Sequence, residues 1–274
     1  MTEARDLASG KGQKDENFPV ASLLLRPVQR RPIVAFYKFA RAADDIADNQ
    51  VATASTKLEL LANMRAGLDG EGASEAMALR EIIAEHRIDP IHAHELLDAF
   101  VSDVRVSRYQ SFDQLIAYCR LSAMPVGRFV LDVHEESRET WPANDALCSA
   151  LQIINHLQDC GKDYRLLDRV YIPLDTGLNV EDLGRSHATP ELRSILKGLV
   201  ERTRGLLEQS AGFSALIRDR RLAVEVAVIQ RLAISLCDRL ETHDPLSERV
   251  HHRKMEVALL SILAAVPTLL RRAA

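Results

Sequence analysis

The 274 residues are 47% hydrophobic and 5% aromatic, with a net charge of −4 spread over interspersed acids and bases, which gives ample core and favours helix over sheet. No basic stripe interleaved with aromatics occurs, so an electrostatic nucleic-acid binder is excluded. The four cysteines, Cys119, Cys148, Cys160 and Cys237, form no CxxC pair, as in a reducing compartment, and are expected to be buried as small apolar residues.

Residues 1–15 are polar and lack the apolar run of a secretory signal, so a disordered tail on a cytosolic protein is expected, ahead of one helical domain over 16–274. Pro27 and Pro32 bracket a break, after which Ile33 to Asp48 runs as helix. Ser55 or Thr56 caps a helix carrying Leu58, Leu61, Met64 and Leu68 and ending near Gly70; Ser74 caps the next. Asp89 with Pro90 opens a helix to about Val106, and Ser111 starts a long one to about Val133, bent at Pro125. Val170 to Pro173 is strand-like in composition but expected as loop. Thr189 with Pro190 starts a helix to about Gln209, followed by Arg218 to Glu241 and Ser247 to Pro267. Val257 to Leu270 is nearly all apolar yet too short to span a bilayer; it is expected as a core helix, with peripheral membrane contact as the other reading, since Arg271 and Arg272 follow. No convincing period-two run appears, so the fold class is all-α, with long helices around a central cavity.

Two stretches carry candidate chemistry. In LQIINHLQDCGKD, Gln152, Asn155, Asp159 and Asp163 follow at offsets of 3, 7 and 11, a polar stripe on a helix otherwise covered by Leu151, Ile153, Ile154 and Leu157. Polar groups in such a setting are costly without a ligand. In RAADDIAD, Asp44 and Asp48 stand four apart with Arg41 three residues ahead of Asp44. Paired carboxylates repel unless a cation joins them, and Mg2+ suits a few carboxylates plus substrate phosphates, with Arg41 expected to meet the phosphate oxygens. Asp45 points about 100° away, so a supporting or solvent-facing role is as well founded as ligation. His92 with His94 and the His251, His252 pair lack acidic partners nearby in sequence and are expected at the surface, while Arg253 and Lys254 read as a cationic helix start.

These motifs, with ENFPVASLLL at Glu16 to Leu25, FYKFARAADDIAD at Phe36 to Asp48, YCRLSAMPVG at Tyr118 to Gly127, LQIINHLQDCGKDYRLLDRVYIP at Leu151 to Pro173 and SERVHHRK at Ser247 to Lys254, carry a resemblance. Over nearly its whole length the chain resembles the squalene/phytoene synthase family. The resemblance implies an all-helical isoprenoid-synthase fold around a hydrophobic cavity, with Asp44, Asp48, Asp159 and Asp163 as Mg2+-binding, catalytic aspartates. It implies substrate contacts from Ser22, Tyr37, Arg41, Gln152 and Asn155.

The departures carry information as well. Where squalene and dehydrosqualene synthases have a tyrosine near the AxxVG segment, this chain reads Arg120, Leu121 and Ser122; Gln158 replaces the arginine before the second motif, and His156 replaces an aliphatic residue. This pattern resembles the hopanoid-pathway branch, which implies presqualene diphosphate as substrate, presqualene diphosphate synthase as functional partner, and a water quench without NADPH. His156 is then expected to position or deprotonate the water, with Gln158 as the other candidate. The runner-up is full head-to-head condensation of two prenyl diphosphates. A non-catalytic assembly factor of the same fold would be expected to lose the aspartates, and all four are kept.

Overall fold

In the computed structural model, which describes residues 26–271, every regular element is a helix, and the sole bridge among the described residues is an isolated parallel one between Arg108 and Val170. Ser22 and the expected tail lie outside the described residues. The chain divides into two compact units. The first holds the chain up to Val106 together with Arg120–Glu136; the second holds Ser107–Cys119 together with the chain from Ser137 onward. Among the described residues no helix is long and apolar enough to cross a membrane.

The first unit contains α1 (Pro27–Asp48), α2 (Ala54–Asp69), α3 (Ser74–His86), α4 (Ile91–Arg105), the end of α5 (Phe112–Ser122) and α6 (Met124–Val133). Helix α1 packs against α2, α3, α4 and α6, burying Phe39, Ala43 and Ile46 completely, each large side chain contributing roughly 1.5–3 kcal/mol. Phe36 stacks on Phe129 with ring centroids 4.1 Å apart, which fixes the rotation of α1 about its axis. Contrary to expectation there is no break at Pro32. Pro27 begins the helix and Pro32 lies buried inside it; the hydrogen bond that Pro32 lacks belongs to the first turn, where Val28 is exposed and the helix has few bonds to lose.

Local chemistry explains the other boundary shifts. Thr53, not Ser55 or Thr56, caps α2 by accepting from the Thr56 amide at 3.2 Å, and Ala73 holds the cap position that Ser74 was expected to fill. At α4 the cap position is Pro90 and the helix starts at Ile91, one residue later than expected; Asp89, one residue ahead of the cap, accepts from the Ile91 amide at 3.0 Å. The long helix expected over Ser111 to Val133 is two helices, because Ala123 leaves helical geometry (φ −123°, ψ −46°) just ahead of Pro125.

The second unit contains the start of α5, α7 (Trp141–Leu167), α8 (Pro190–Gln209), the short α9 (Phe213–Leu216), α10 (Arg220–Thr242) and α11 (Lys254–Arg271). Helix α7 packs on α8, α10 and the turn Val180–Gly184. Gly161 keeps that approach close: a Cβ there would stand 2.6 Å from Leu246 Cδ2, 3.1 Å from Arg165 Nη1 and 3.3 Å from the Leu183 carbonyl, so both side chains would have to shift. Thr189 caps α8 as expected. The last helix begins at Lys254 instead of Ser247, because Asp244 draws Leu246 and Ser247 into a turn and Glu256 then caps the new start through the Arg253 amide at 2.7 Å. It also runs through Pro267 and has no buried residue, so the core-helix expectation for this stretch is wrong: one side packs half-buried on α10 and the other stands in solvent.

Candidate active site

Burial of Phe36, Phe39, Ala43, Ile46 and Ala47 leaves the opposite side of α1 half-buried, and Tyr37, Arg41, Asp44 and Asp48 follow along it at steps of 4, 3 and 4. Arg41 Nη1 stands 2.7 Å from Asp44 Oδ2 and Arg41 Nη2 stands 2.5 Å from Asp45 Oδ1. Asp45 is buried in this ion pair, which decides against the solvent-facing alternative. Desolvation pushes the Asp44 carboxyl up to about 7, with Asp48 adding to the shift, Arg41 opposing it, and Asp45 and Asp103 adding again. Asp103 of α4 was not singled out from sequence. Nothing local marks it, since it reaches the Asp44 neighbourhood through helix packing from 59 residues further along the chain.

The donor chemistry of this face fits a hard divalent cation. Burial first, and then the neighbouring carboxylates, raise the Asp44 carboxyl to near neutrality, and a cation beside it would favour the charged form. Among the described residues no group of three or more His, Cys, Asp or Glu side chains is gathered as a metal cage.

On α7, Ile153, Ile154 and Leu157 are buried as expected, while Gln152, Asn155, Asp159 and Asp163 form a half-buried stripe. Asp159 pairs with Lys162 at 3.2 Å. The nitrogen Nε2 of His156 is 3.1 Å from the Gln152 amide, and its Nδ1 is 3.9 Å from Asp163 Oδ2. The structure therefore joins His156 to both ends of the stripe. Gln158 does something else: it is buried and donates to the Val250 carbonyl at 2.6 Å, so the expectation that it orients water fails and it ties α7 to the segment before α11.

A tyrosine cluster completes this side. The Arg108 to Val170 bridge places the following residues, Tyr109 and Tyr171, side by side, stacked at 5.5 Å. Backbone bonds from Val170 to Ser107, Leu174 to Tyr109 and Asp175 to Gln110, with an Arg108 to Asp168 ion pair of 2.5 Å, fasten the two segments. Tyr171 lies flat on His156 with centroids 3.5 Å apart, and Tyr118 tilts against both at 5.4 and 5.9 Å. All three tyrosines are buried. The loop expected at Val170 to Pro173 is thus the element that presents an aromatic wall to α7.

His92, His94, His251 and His252 are not the surface groups expected, whereas His187 is exposed. His92 is fully buried with Nε2 2.9 Å from Asp132, because α4 packs on α6 and supplies a partner 40 residues away. His94 is half-buried beside Arg65. His251 and His252 are half-buried; burial lowers both below the usual imidazole range, and Asp159 acts on His251 in the opposite direction. Three of the cysteines are buried, their thiols pushed up to about 12 by desolvation, while Cys148 is half-buried.

The sequence matches the family described as squalene/phytoene synthase over residues 11–256. It is 56% identical over 270 residues to a hydroxysqualene synthase of Zymomonas mobilis, covering 96% of this chain and 91% of that one. It is 51% identical to a hydroxysqualene synthase of Rhodopseudomonas palustris, over 99% of this chain and 95% of the relative. Among solved structures, the squalene synthase from Alicyclobacillus acidocaldarius superposes with a TM-score of 0.71 at 28% identity, over 86% of this chain and 90% of the other.

Proposed function

The chain belongs to the squalene/phytoene synthase family, and from that membership we propose that it acts as a hydroxysqualene synthase, a carbon–oxygen lyase that converts presqualene diphosphate and water into hydroxysqualene and diphosphate. The observation that carries this reading is near-full-length identity of 56% and 51% to two hydroxysqualene synthases, against 28% to a squalene synthase.

In the proposed reaction the bond between the cyclopropylcarbinyl carbon and the diphosphate oxygen breaks, the electron pair leaving with the oxygen. The carbocation rearranges, a water oxygen bonds to it, and the water gives up one proton. No redox equivalent enters, so NADPH has no part. Asp44, Asp48, Asp159 and Asp163 are proposed to hold Mg2+, which when bound supplies positive charge to the departing diphosphate. Arg41, which pairs with two carboxylates, is proposed to exchange one of them for a phosphate oxygen. Tyr37, Asn155 and Ser22 are assigned to substrate contact. His156, oriented by Gln152 and by the face of Tyr171, is assigned to the water and its proton. The aromatic wall of Tyr109, Tyr118 and Tyr171 offers π-faces to a cation and shields it from bulk water. The substrate must come from a synthase that joins two farnesyl chains, either by direct handover or through a bilayer.

Full condensation of two prenyl diphosphates is the second reading, favoured by the likeness to a squalene synthase. One experiment separates them. The purified chain is given presqualene diphosphate or farnesyl diphosphate, with Mg2+, with and without NADPH. The first reading expects an alcohol from presqualene diphosphate in both conditions and no C–C coupling of farnesyl diphosphate; abundant coupled hydrocarbon from farnesyl diphosphate overturns it.

A further inference from the structure

The half-buried side of α11 rests on α10, and its other side carries Met255, Leu259, Ile262, Leu263, Val266, Leu269 and Leu270, exposed between 48% and 85%. These are seven of the fifteen large apolar side chains that stand exposed among the described residues, gathered on one 18-residue helix. Isolated apolar side chains at a surface are ordinary, but a continuous stripe of this length is not. It has no charge along it. The charges lie at its two ends, Arg253 and Lys254 before it and Arg271 and Arg272 after it in sequence. From Arg253 to Arg272 there are four cations and one acid, Glu256, which pairs with Arg239 at 3.2 Å, whereas the chain as a whole is net −4.

We infer that α11 is a membrane-docking helix that lies in the plane of an anionic bilayer, with its apolar stripe among the acyl chains and its basic ends at the headgroups. An 18-residue helix is about 27 Å long, ample for lying along a surface, and it is not apolar enough to cross. The charge pattern selects the occupant. A second copy paired along this face would set cation on cation in either helix direction, since both ends are basic, while an anionic surface complements both ends. The inference rests on α11 alone and stands apart from the assignment of the reaction, because lipid binding and turnover are separate readouts.

The test is co-sedimentation of the full chain with vesicles of phosphatidylglycerol and phosphatidylcholine, and with vesicles of phosphatidylcholine alone. Binding to the anionic vesicles, weakened by salt, is expected. The triple variant Leu259→Gln, Ile262→Gln, Leu263→Gln should bind at least about tenfold less with its melting temperature unchanged. The pair Arg271→Glu, Arg272→Glu should lose the preference for anionic vesicles. The inference is overturned by a wild-type chain that stays in the supernatant with both vesicle types. It is equally overturned by a dimer that the triple variant dissociates, or by a triple variant that melts several degrees lower, as it would if residues 1–25 covered this face.

Discussion

The imidazole of His156 lies flat on the phenol of Tyr171, ring centroids 3.5 Å apart and planes 14° from parallel. Gln152 holds one ring nitrogen and Asp163 faces the other, so three residues constrain the ring in plane, tilt and rotation. A group that handles a water proton has to be held in this way to contribute the roughly 10²–10⁴-fold typical of general acid–base catalysis. His156→Phe should therefore still release diphosphate from presqualene diphosphate while the alcohol falls by about that factor. Product analysis by chromatography checks it, and an unchanged yield of alcohol removes His156 from the mechanism. Tyr171→Phe keeps the stack and should keep the product; Tyr171→Leu should lower alcohol formation about tenfold through misplacement of the ring.

Asp44 sets a pH dependence for the metal-free protein. In the unfolded chain an aspartate titrates near 3.8, and in the fold Asp44 is raised to about 7. Between those values the folded state binds the extra proton, so stability falls as pH rises through the window and the full cost is present above 7. Water still reaches 33% of the side chain, which reduces the cost to about 1–2 kcal/mol. With EDTA, Asp44→Asn should melt higher than wild type at pH 8 and equal to it at pH 4. Glu225, also raised to about 7 by burial, bends both curves alike and cancels in the difference. Mg2+ should stabilise wild type at pH 8 and not the variant, which should be inactive. Equal melting temperatures at pH 8 without metal would refute the argument.

Gln158 is a tie and not a water ligand. Replacing it by Leu leaves the buried Val250 carbonyl without its donor, at a cost of about 1–3 kcal/mol. Denaturant titration should show that loss while the ratio of alcohol to hydrocarbon stays at the wild-type value. A changed product ratio at full stability would return Gln158 to the site.

Gly161→Ala should cost about 1–3 kcal/mol, because its methyl must displace Leu246 and press on the Leu183 carbonyl. Since Gly161 lies between Asp159 and Asp163, the same shift of α7 should weaken Mg2+ protection against thermal unfolding. A Tm within a degree of wild type would show that the α7 contact is loose.

Sequence alone determined what depends on neighbours three and four residues apart. The stripes Tyr37, Arg41, Asp44, Asp48 and Gln152, Asn155, Asp159, Asp163, the helical character of the chain and the cap Thr189 follow from helix periodicity and end chemistry, which are local. Only tertiary packing could decide partners from elsewhere in the chain. It set Asp103 beside Asp44, Asp132 against His92 and Tyr171 on His156, and it gave Gln158 the Val250 carbonyl. It also left one whole side of α11 uncovered, which composition had read as core. An apolar run reads alike whether protein or lipid covers it, because hydrophobicity has no direction until the neighbouring helix is in place.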